Sequence, residues 1–99
     1  MRIVQVIDKR VKALVEDATL TSVKGFNRVQ VRKVSDMIAA IKVVAEPMQL
    51  AINLAWRVHQ LKGERWGTWS LTVTGNERLT FAFDAEEGTV ALLDYEDYH

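Results

Sequence analysis

The groups that could perform acid–base chemistry near neutral pH are few in this sequence. His59 and His99 are its only histidines, and imidazole is the side chain that ordinarily titrates between about pH 5 and 8. His59 precedes Lys62 by three residues, at the entry to a segment that contains two glycines. Arg78 opens a later segment, and the sequence closes with Asp97-Tyr98-His99.

These residue types are the parts needed to cleave RNA without a metal ion. A base would remove the proton of a 2′-hydroxyl so that its oxygen attacks the adjacent phosphate, and an acid would protonate the leaving 5′-oxygen. Cations would stabilise the charge on the phosphate oxygens in the transition state. The structural alternative is that His59 only packs, His99 is a frayed end, Lys62 and Arg78 are surface charges, and Tyr98 packs against a sheet.

The composition excludes several classes of protein. The sequence has no cysteine, which rules out disulfides and cysteine-based zinc sites, and two histidines argue against a multi-histidine metal site. No stretch approaches the ~20 apolar residues of a membrane span, and the N-terminal residues lack the pattern of a signal peptide. We therefore expect a cytoplasmic protein with no membrane association, no metal and no cofactor.

Charge is distributed unevenly along a chain whose formal net charge is zero. Residues 1–62 contain eleven Lys and Arg against five Asp and Glu, whereas residues 63–99 contain two against eight. A basic half can meet phosphate. The same pattern is also explained by a helix with a basic solvent-facing side, so charge alone does not assign a partner.

The order of elements predicts a single α+β domain over residues 1–99. Arg2–Ile7 suggests an edge strand, and Asp8 is placed to cap a helix over Lys9–Asp17. Asn27 is placed to cap a longer helix, which should end near Glu46 because the residue before Pro47 disfavours helical angles. Residues 48–55 are apolar and ambiguous.

After residue 55 the apolar period changes to two, which indicates strands. We predict a strand over Trp56–Leu61, a loop over residues 62–67, and two half-buried strands joined by a three-residue loop, Gly75-Asn76-Glu77. That loop would pair Val73 with Leu79 and Leu71 with Phe81. A continuous apolar run, Thr89–Tyr95, suggests a strand covered on both faces. Helices ahead of strands favour two N-terminal helices packed on one side of a small, mainly antiparallel sheet of four to five strands.

The predicted register places Arg78 on the same face as a row of hydroxyl side chains. We expect this polar face, with one loop arginine, to bind RNA; the residues concerned are Arg65, Ser70, Thr72 and Thr80.

Three segments of the C-terminal half resemble the HigB family of the RelE superfamily, toxins of bacterial toxin–antitoxin modules. Residues 59–73, HQLKGERWGTWSLTV, are similar to the family's His-x-Leu-Lys-Gly-Asp/Glu-Arg motif and the tryptophan-serine strand that follows it. Residues 75–81, GNERLTF, resemble the next strand, which in the family usually reads Asn-Trp-Arg-Ile-x-Phe. The final Asp97-Tyr98-His99 resembles the family's terminal Asp-Tyr-His.

The resemblance implies a RelE-like fold and a toxin that cuts mRNA in the ribosomal A site during translation. It implies neutralisation by a HigA-like helix-turn-helix antitoxin, with operator DNA bound only through the toxin–antitoxin complex. It assigns six catalytic positions, with His99 as base and His59 as acid, or the reverse, and Asp97 orienting His99 or Arg78. The six are His59, Lys62, Arg78, Asp97, Tyr98 and His99.

Two positions depart from the family pattern. Glu77 stands where an aromatic residue usually precedes the arginine, and Ala82 stands where a polar or cationic residue is usual. A carboxylate beside Arg78 could weaken phosphate binding. These departures leave open a degenerate toxin homologue that binds its antitoxin without cleaving RNA. A separate alternative is an unrelated α+β binding module.

Overall fold

A computed structural model describes residues 1–97 of the chain. A short strand β1 (Arg2–Ile3) is followed by the helices α1 (Lys9–Glu16) and α2 (Arg28–Val43). Four further strands come next: β2 (His59–Gln60), β3 (Thr68–Thr72), β4 (Glu77–Asp84) and β5 (Thr89–Asp97). Short 3-10 turns occupy Pro47–Ile52, Leu54–Trp56 and Gly63–Arg65.

The strands form one sheet in the order β1-β5-β4-β3-β2. β1 runs parallel to β5 and every other pair is antiparallel. This confirms the α+β prediction of two helices and a mainly antiparallel sheet. None of the helices within residues 1–97 has the length and hydropathy needed to cross a bilayer.

Both helices begin at the predicted caps. The Asp8 carboxylate accepts from the backbone N–H of Arg10 (2.8 Å) and Val11 (3.1 Å), and Asn27 forms a reciprocal capping box with Gln30. Such caps satisfy amides that have no partner inside the helix. α2 ends at Val43, three residues earlier than predicted, where the α-amino group of Met1 donates to the carbonyls of Ile41 and Val44.

The core lies between the helices and one face of the sheet. Its buried members repeat at three- and four-residue steps in the helices and at two-residue steps in β3 and β4, as expected for the periods of helix and strand. They are Val11, Leu14, Val31, Val34, Met37, Ile38, Ile41, Leu50, Leu71, Val73, Leu79, Phe81, Val90, Leu93 and Tyr95.

The predicted register of the β3–β4 hairpin is wrong by two residues. Leu71 is opposite Leu79 and Trp69 is opposite Phe81. Side chains alternate with a period of two, so the shift leaves the paired residues of β3 and β4 on their predicted faces. The connection covers residues 73–76, and Glu77, predicted in the turn, belongs to β4. Its carbonyl accepts from the N–H of Val73 (2.9 Å) and Thr74 (3.3 Å).

Two strand predictions need correction at their ends. The strand predicted over Trp56–Leu61 is reduced to His59–Gln60, because Arg57 takes a left-handed backbone (φ 47°) that redirects the chain. The strand predicted over Arg2–Ile7 is reduced to Arg2–Ile3 and an isolated bridge between Val6 and Leu93.

The strand β5, between β1 and β4, extends beyond the apolar run, and its buried apolar side chains belong to the core on the helix side. Leu92 is 47% exposed and has a left-handed backbone (φ 54°), and the β4–β5 register shifts between Thr80 and Ala82. The extra residue forms a β-bulge. The prediction of a strand covered on both faces is therefore wrong.

Candidate functional site

Strand alternation gathers the polar side chains on the face of the sheet that points away from the helices. His59 is opposite Ser70, Ser70 is opposite Thr80, and in the neighbouring row Thr72 is opposite Arg78. Glu96 of β5 is opposite Arg78 on its other side. Directly opposed residues of antiparallel strands share a face. We call His59, Ser70, Thr72, Arg78, Thr80 and Glu96 the polar face.

His59 stands at the β2 edge of the polar face and is exposed. Its ring Nδ1 lies 2.8 Å from the backbone carbonyl of Arg57. A carbonyl only accepts, so this contact requires the proton on Nδ1 and leaves Nε2 as the acceptor of the neutral imidazole. Nε2 is therefore the atom that can take up or return a proton.

Arg78 is held at the turn between β3 and β4. Its Nη1 donates to the carbonyls of Thr74 (3.0 Å), Gly75 (3.1 Å) and Glu77 (3.0 Å). These contacts fix the position of a permanent positive charge at one end of the polar face.

Glu77, although next to Arg78 in sequence, points toward the helices. Each of its carboxylate oxygens lies 3.1 Å from the side-chain nitrogen of Gln30 in α2, and one accepts from the Thr74 hydroxyl at 2.7 Å. The Thr74 hydrogen bond is the main reason that the pKa of Glu77 is lowered, with further hydrogen bonds from Tyr95 and Gln30 offsetting the opposite effect of burial. The carboxylate thus ties β4 to α2 and does not face the same side as Arg78.

Tyr95 and Arg10 extend this helix-side polar cluster. The Arg10 guanidinium pairs with Asp8 at 2.8 Å and lies over the rings of Phe26 (4.4 Å) and Tyr95 (5.1 Å). Burial, followed by the contact with Glu77, raises the pKa of Tyr95. The cluster joins α1, α2, β4 and β5, so its role is to hold the helices on the sheet.

Two of the predicted RNA-binding side chains converge on Glu96. Arg65 forms a bidentate ion pair with the Glu96 carboxylate, with Nη1–Oε1 and Nη2–Oε2 distances of 2.8 and 2.6 Å. The hydroxyl of Thr80 donates to the same carboxylate. Arg65 is the main reason that the pKa of Glu96 is lowered.

Glu96 was not among the site residues predicted from the sequence. The sequence pattern could have indicated it, because Glu96 follows Asp94 by two residues in β5 and therefore lies on the same face. Acidic residues at alternate strand positions indicate a face that is not packed in the core. A cavity of ≈ 140 Å³ lies beside the ion pair, lined in part by Ala82, Leu92 and Asp94.

The remaining predicted site residues differ in accessibility. Ser70 is fully buried, and its hydroxyl has no hydrogen-bond partner within residues 1–97. Thr72 is half-buried and Lys62 is exposed in the loop before Gly63–Arg65. Asp97 is opposite Glu77, which places it on the helix side of the sheet, away from Arg78.

Tyr98 and His99, two of the six predicted catalytic residues, lie outside the described residues. Within residues 1–97, no three His, Asp or Glu side chains are grouped so that they could hold a metal ion. The described part of the site is thus the polar face, with one imidazole, one arginine and three hydroxyl side chains, of which Ser70 and Thr80 are buried, and the loop arginine Arg65 beside it.

Two solved structures are similar to this chain in fold. The YoeB/ParE toxin from Agrobacterium tumefaciens superposes with a TM-score of 0.63 over 100% of both chains, at 14% identity. A chain of the YoeB–YefM complex from Staphylococcus aureus superposes with a TM-score of 0.60 at 16% identity, covering 100% of this chain and 97% of that one. The chain thus has the fold of the YoeB/ParE toxin.

The amino-acid sequence identifies the family. No family model matches the chain, but 69 residues are 41% identical to the endoribonuclease HigB from Proteus vulgaris, covering 70% of this chain and 72% of that protein. The chain therefore belongs to the HigB family.

Proposed function

We propose that this protein is a ribosome-dependent endoribonuclease toxin that cuts mRNA in the ribosomal A site and arrests growth. The observation that carries the proposal is the polar face, which presents His59 and Arg78 on a chain of which 69 residues are 41% identical to an endoribonuclease. We place its action in the cytoplasm, where translation occurs.

In the proposed reaction the chain's own side chains move the protons. One histidine, His99 or His59, removes the 2′-hydroxyl proton, and the 2′-oxygen forms a bond to phosphorus. The bond from phosphorus to the 5′-oxygen breaks, and the other histidine protonates that oxygen. The Nε2 atom of His59 is available for either role, since Nδ1 is engaged by the Arg57 carbonyl.

Cations support the same step. Arg78 is held rigidly by three carbonyls, and a pre-positioned charge needs no reorganisation as the transition state forms. Lys62 supplies a second cation from the loop, and Tyr98 would stack on a base or bind a phosphate. Asp97, on the helix side of the sheet, would act by orienting His99.

The ribosome is proposed to position the substrate. A chain of zero net charge gains little of the electrostatic affinity that RNA-binding proteins obtain from several phosphate contacts. Purified protein should therefore cut naked RNA poorly and ribosome-bound mRNA efficiently. Efficient cleavage of free mRNA would contradict this part of the proposal.

The proposed protein partner is a HigA-like helix-turn-helix antitoxin. A structural neighbour is a YoeB–YefM complex, and membership of the HigB family supports an antitoxin of the HigA kind. Operator DNA would be bound only through the complex of the two proteins.

The test is to induce the protein in a bacterial host and map new mRNA 5′ ends. His99→Ala and His59→Ala should each abolish growth arrest and in-frame cleavage, because either change removes one of the two imidazoles. Glu87→Ala, an exposed change in the β4–β5 turn, should leave both intact. Cleavage that persists in both histidine variants would overturn the mechanism.

The second candidate is a degenerate homologue that binds its antitoxin without cleaving RNA. Ala82, which removes a polar group from the strand, favours it. Glu77 does not, since its carboxylate contacts Gln30 on the helix side. Normal growth on induction, together with a stable complex between the folded protein and its antitoxin, would establish this candidate instead.

A further inference from the structure

The Arg65–Glu96–Thr80 contact has the donor set of a phosphate site. An arginine fork and a hydroxyl converge on two oxygens of one anion, and the same groups bind phosphate when it is available. Thr80 is only 1% exposed and faces into the sheet's polar side. Ser70, directly opposite Thr80, adds a buried hydroxyl that has no partner among residues 1–97.

We infer that Arg65 and Thr80 form a phosphate subsite for the RNA backbone, which the Glu96 carboxylate fills in the absence of RNA. The inference rests on the proposed function, because it takes RNA as the ligand. Binding of RNA then requires that Glu96 be displaced from Arg65. Glu96 would act as an internal competitor that keeps the affinity for free RNA low.

Displacement is physically reasonable at this position. The Arg65 and Glu96 side chains are 44% and 23% exposed, and ion pairs in contact with water are screened and contribute little net stability. The contact therefore orients the guanidinium without holding it irreversibly. A phosphate positioned on the polar face by the neighbouring Arg78 would exchange for the carboxylate.

The experiment compares charge-removing variants that differ in whether they release Arg65. Glu96→Gln removes the competing charge with little change in shape. Asp94→Asn is the matched control: it removes one negative charge from the same strand and face, but the Asp94 carboxylate accepts from the Tyr95 N–H, whereas the Glu96 carboxylate pairs with Arg65. The probe is a fluorescent single-stranded RNA oligonucleotide with 2′-O-methyl groups, which cannot be cleaved through a 2′-hydroxyl.

Glu96→Gln is expected to tighten oligonucleotide binding by about 3- to 10-fold and to steepen the salt dependence by about one phosphate contact. Asp94→Asn should change binding by less than about twofold, since it changes only the long-range electrostatic potential, which salt screens. Adding Arg65→Ala to Glu96→Gln should abolish the gain. Equal effects of Glu96→Gln and Asp94→Asn, or a gain that survives Arg65→Ala, would overturn the inference.

A second variant tests the inference if Glu96→Gln fails to fold. Glu96→Asp keeps the charge, but its shorter side chain cannot reach both Arg65 and Thr80, so a smaller gain in the same direction is expected. Binding and cleavage are separate readouts. If Glu96→Gln binds the oligonucleotide more tightly but the parent protein does not cleave RNA, the subsite is upheld and the endoribonuclease function is rejected. If the parent protein cleaves RNA but Glu96→Gln does not bind more tightly, the endoribonuclease function is upheld and the subsite is rejected.

Discussion

The Glu77 carboxylate binds the side-chain amide of Gln30 across the boundary between sheet and helix, with 3.1 Å from Nε2 to each oxygen. Gln30 is also the N3 residue of the α2 capping box and donates to the Tyr95 hydroxyl at 3.2 Å. One carboxylate therefore fixes the start of α2 relative to β4 and β5. Its neighbour Arg78 faces the opposite side of the sheet, because successive strand residues alternate.

Glu77→Ala should lower the free energy of unfolding by about 1–3 kcal/mol, because the Gln30 amide and the Thr74 hydroxyl lose their acceptor. RNA cleavage per folded molecule should be unchanged. Urea unfolding and a ribosome-dependent cleavage assay measure the two effects, with Glu87→Ala as the control for loss of one carboxylate. A folded Glu77→Ala protein with altered cleavage would show that this carboxylate does influence the polar face.

Stability should fall as the pH drops below about 4.5. The pKa values of Glu77 and Glu96 are both lowered from an ordinary 4.5 by their hydrogen-bond donors. A carboxyl whose folded-state pKa is depressed takes up its proton more readily when unfolded, so its contribution is complete above the unfolded pKa and is lost as the pH falls through the folded one.

Urea midpoints measured between about pH 3 and 7 should therefore decline at the acidic end. Near neutrality the Glu77 and Glu96 carboxyls should cause little change in the midpoint. The double variant Glu77→Gln/Glu96→Gln should show a shallower acidic decline, since neither position can then titrate. An unaltered pH profile would mean that other carboxyls account for acid unfolding.

Gly25→Ala should destabilise the protein by more than about 1 kcal/mol. Gly25 has φ +93°, which L-residues rarely adopt, and an added Cβ would lie 2.8 Å from Cδ of Arg10. That contact would displace the guanidinium from Asp8 and from the Phe26 ring. Gly75→Ala is the matched control, because no atom lies within 4 Å of its Cβ position and its φ is not in the positive region. Thermal unfolding of the two variants should differ clearly, and equal midpoints would contradict the packing of Arg10 described above.

Arg78→Lys should reduce cleavage by about 10²-fold while the protein remains folded. Lysine keeps the positive charge, but it lacks the planar guanidinium, of which Nη1 donates to the three turn carbonyls and whose fork shape matches a phosphate. The measurement is the rate of cleavage of ribosome-bound mRNA, with unfolding followed by circular dichroism. Arg32→Lys, an exposed change on α2, should leave the rate unchanged. Full activity in Arg78→Lys would show that the Arg78 guanidinium only stabilises the hairpin turn and is not needed for cleavage.

Local sequence determined the helices and the faces of the strands. Asp8 and Asn27 set the helix starts because a cap needs only the next three residues, and alternation alone put Arg78 with Ser70, Thr72 and Thr80. The motifs in residues 59–81 also sufficed to indicate the family, which the identity to HigB confirmed.

Only the tertiary structure decided which residues meet. The hairpin register depended on the bonds from Val73 and Thr74 to the Glu77 carbonyl, since a shift of two residues preserves every hydrophobic face and leaves no trace in the pattern. The contacts of Glu77 with Gln30 and of Arg65 with Glu96 join residues 47 and 31 positions apart. Such pairs follow from the order of strands and the docking of α2, which local periodicity does not encode.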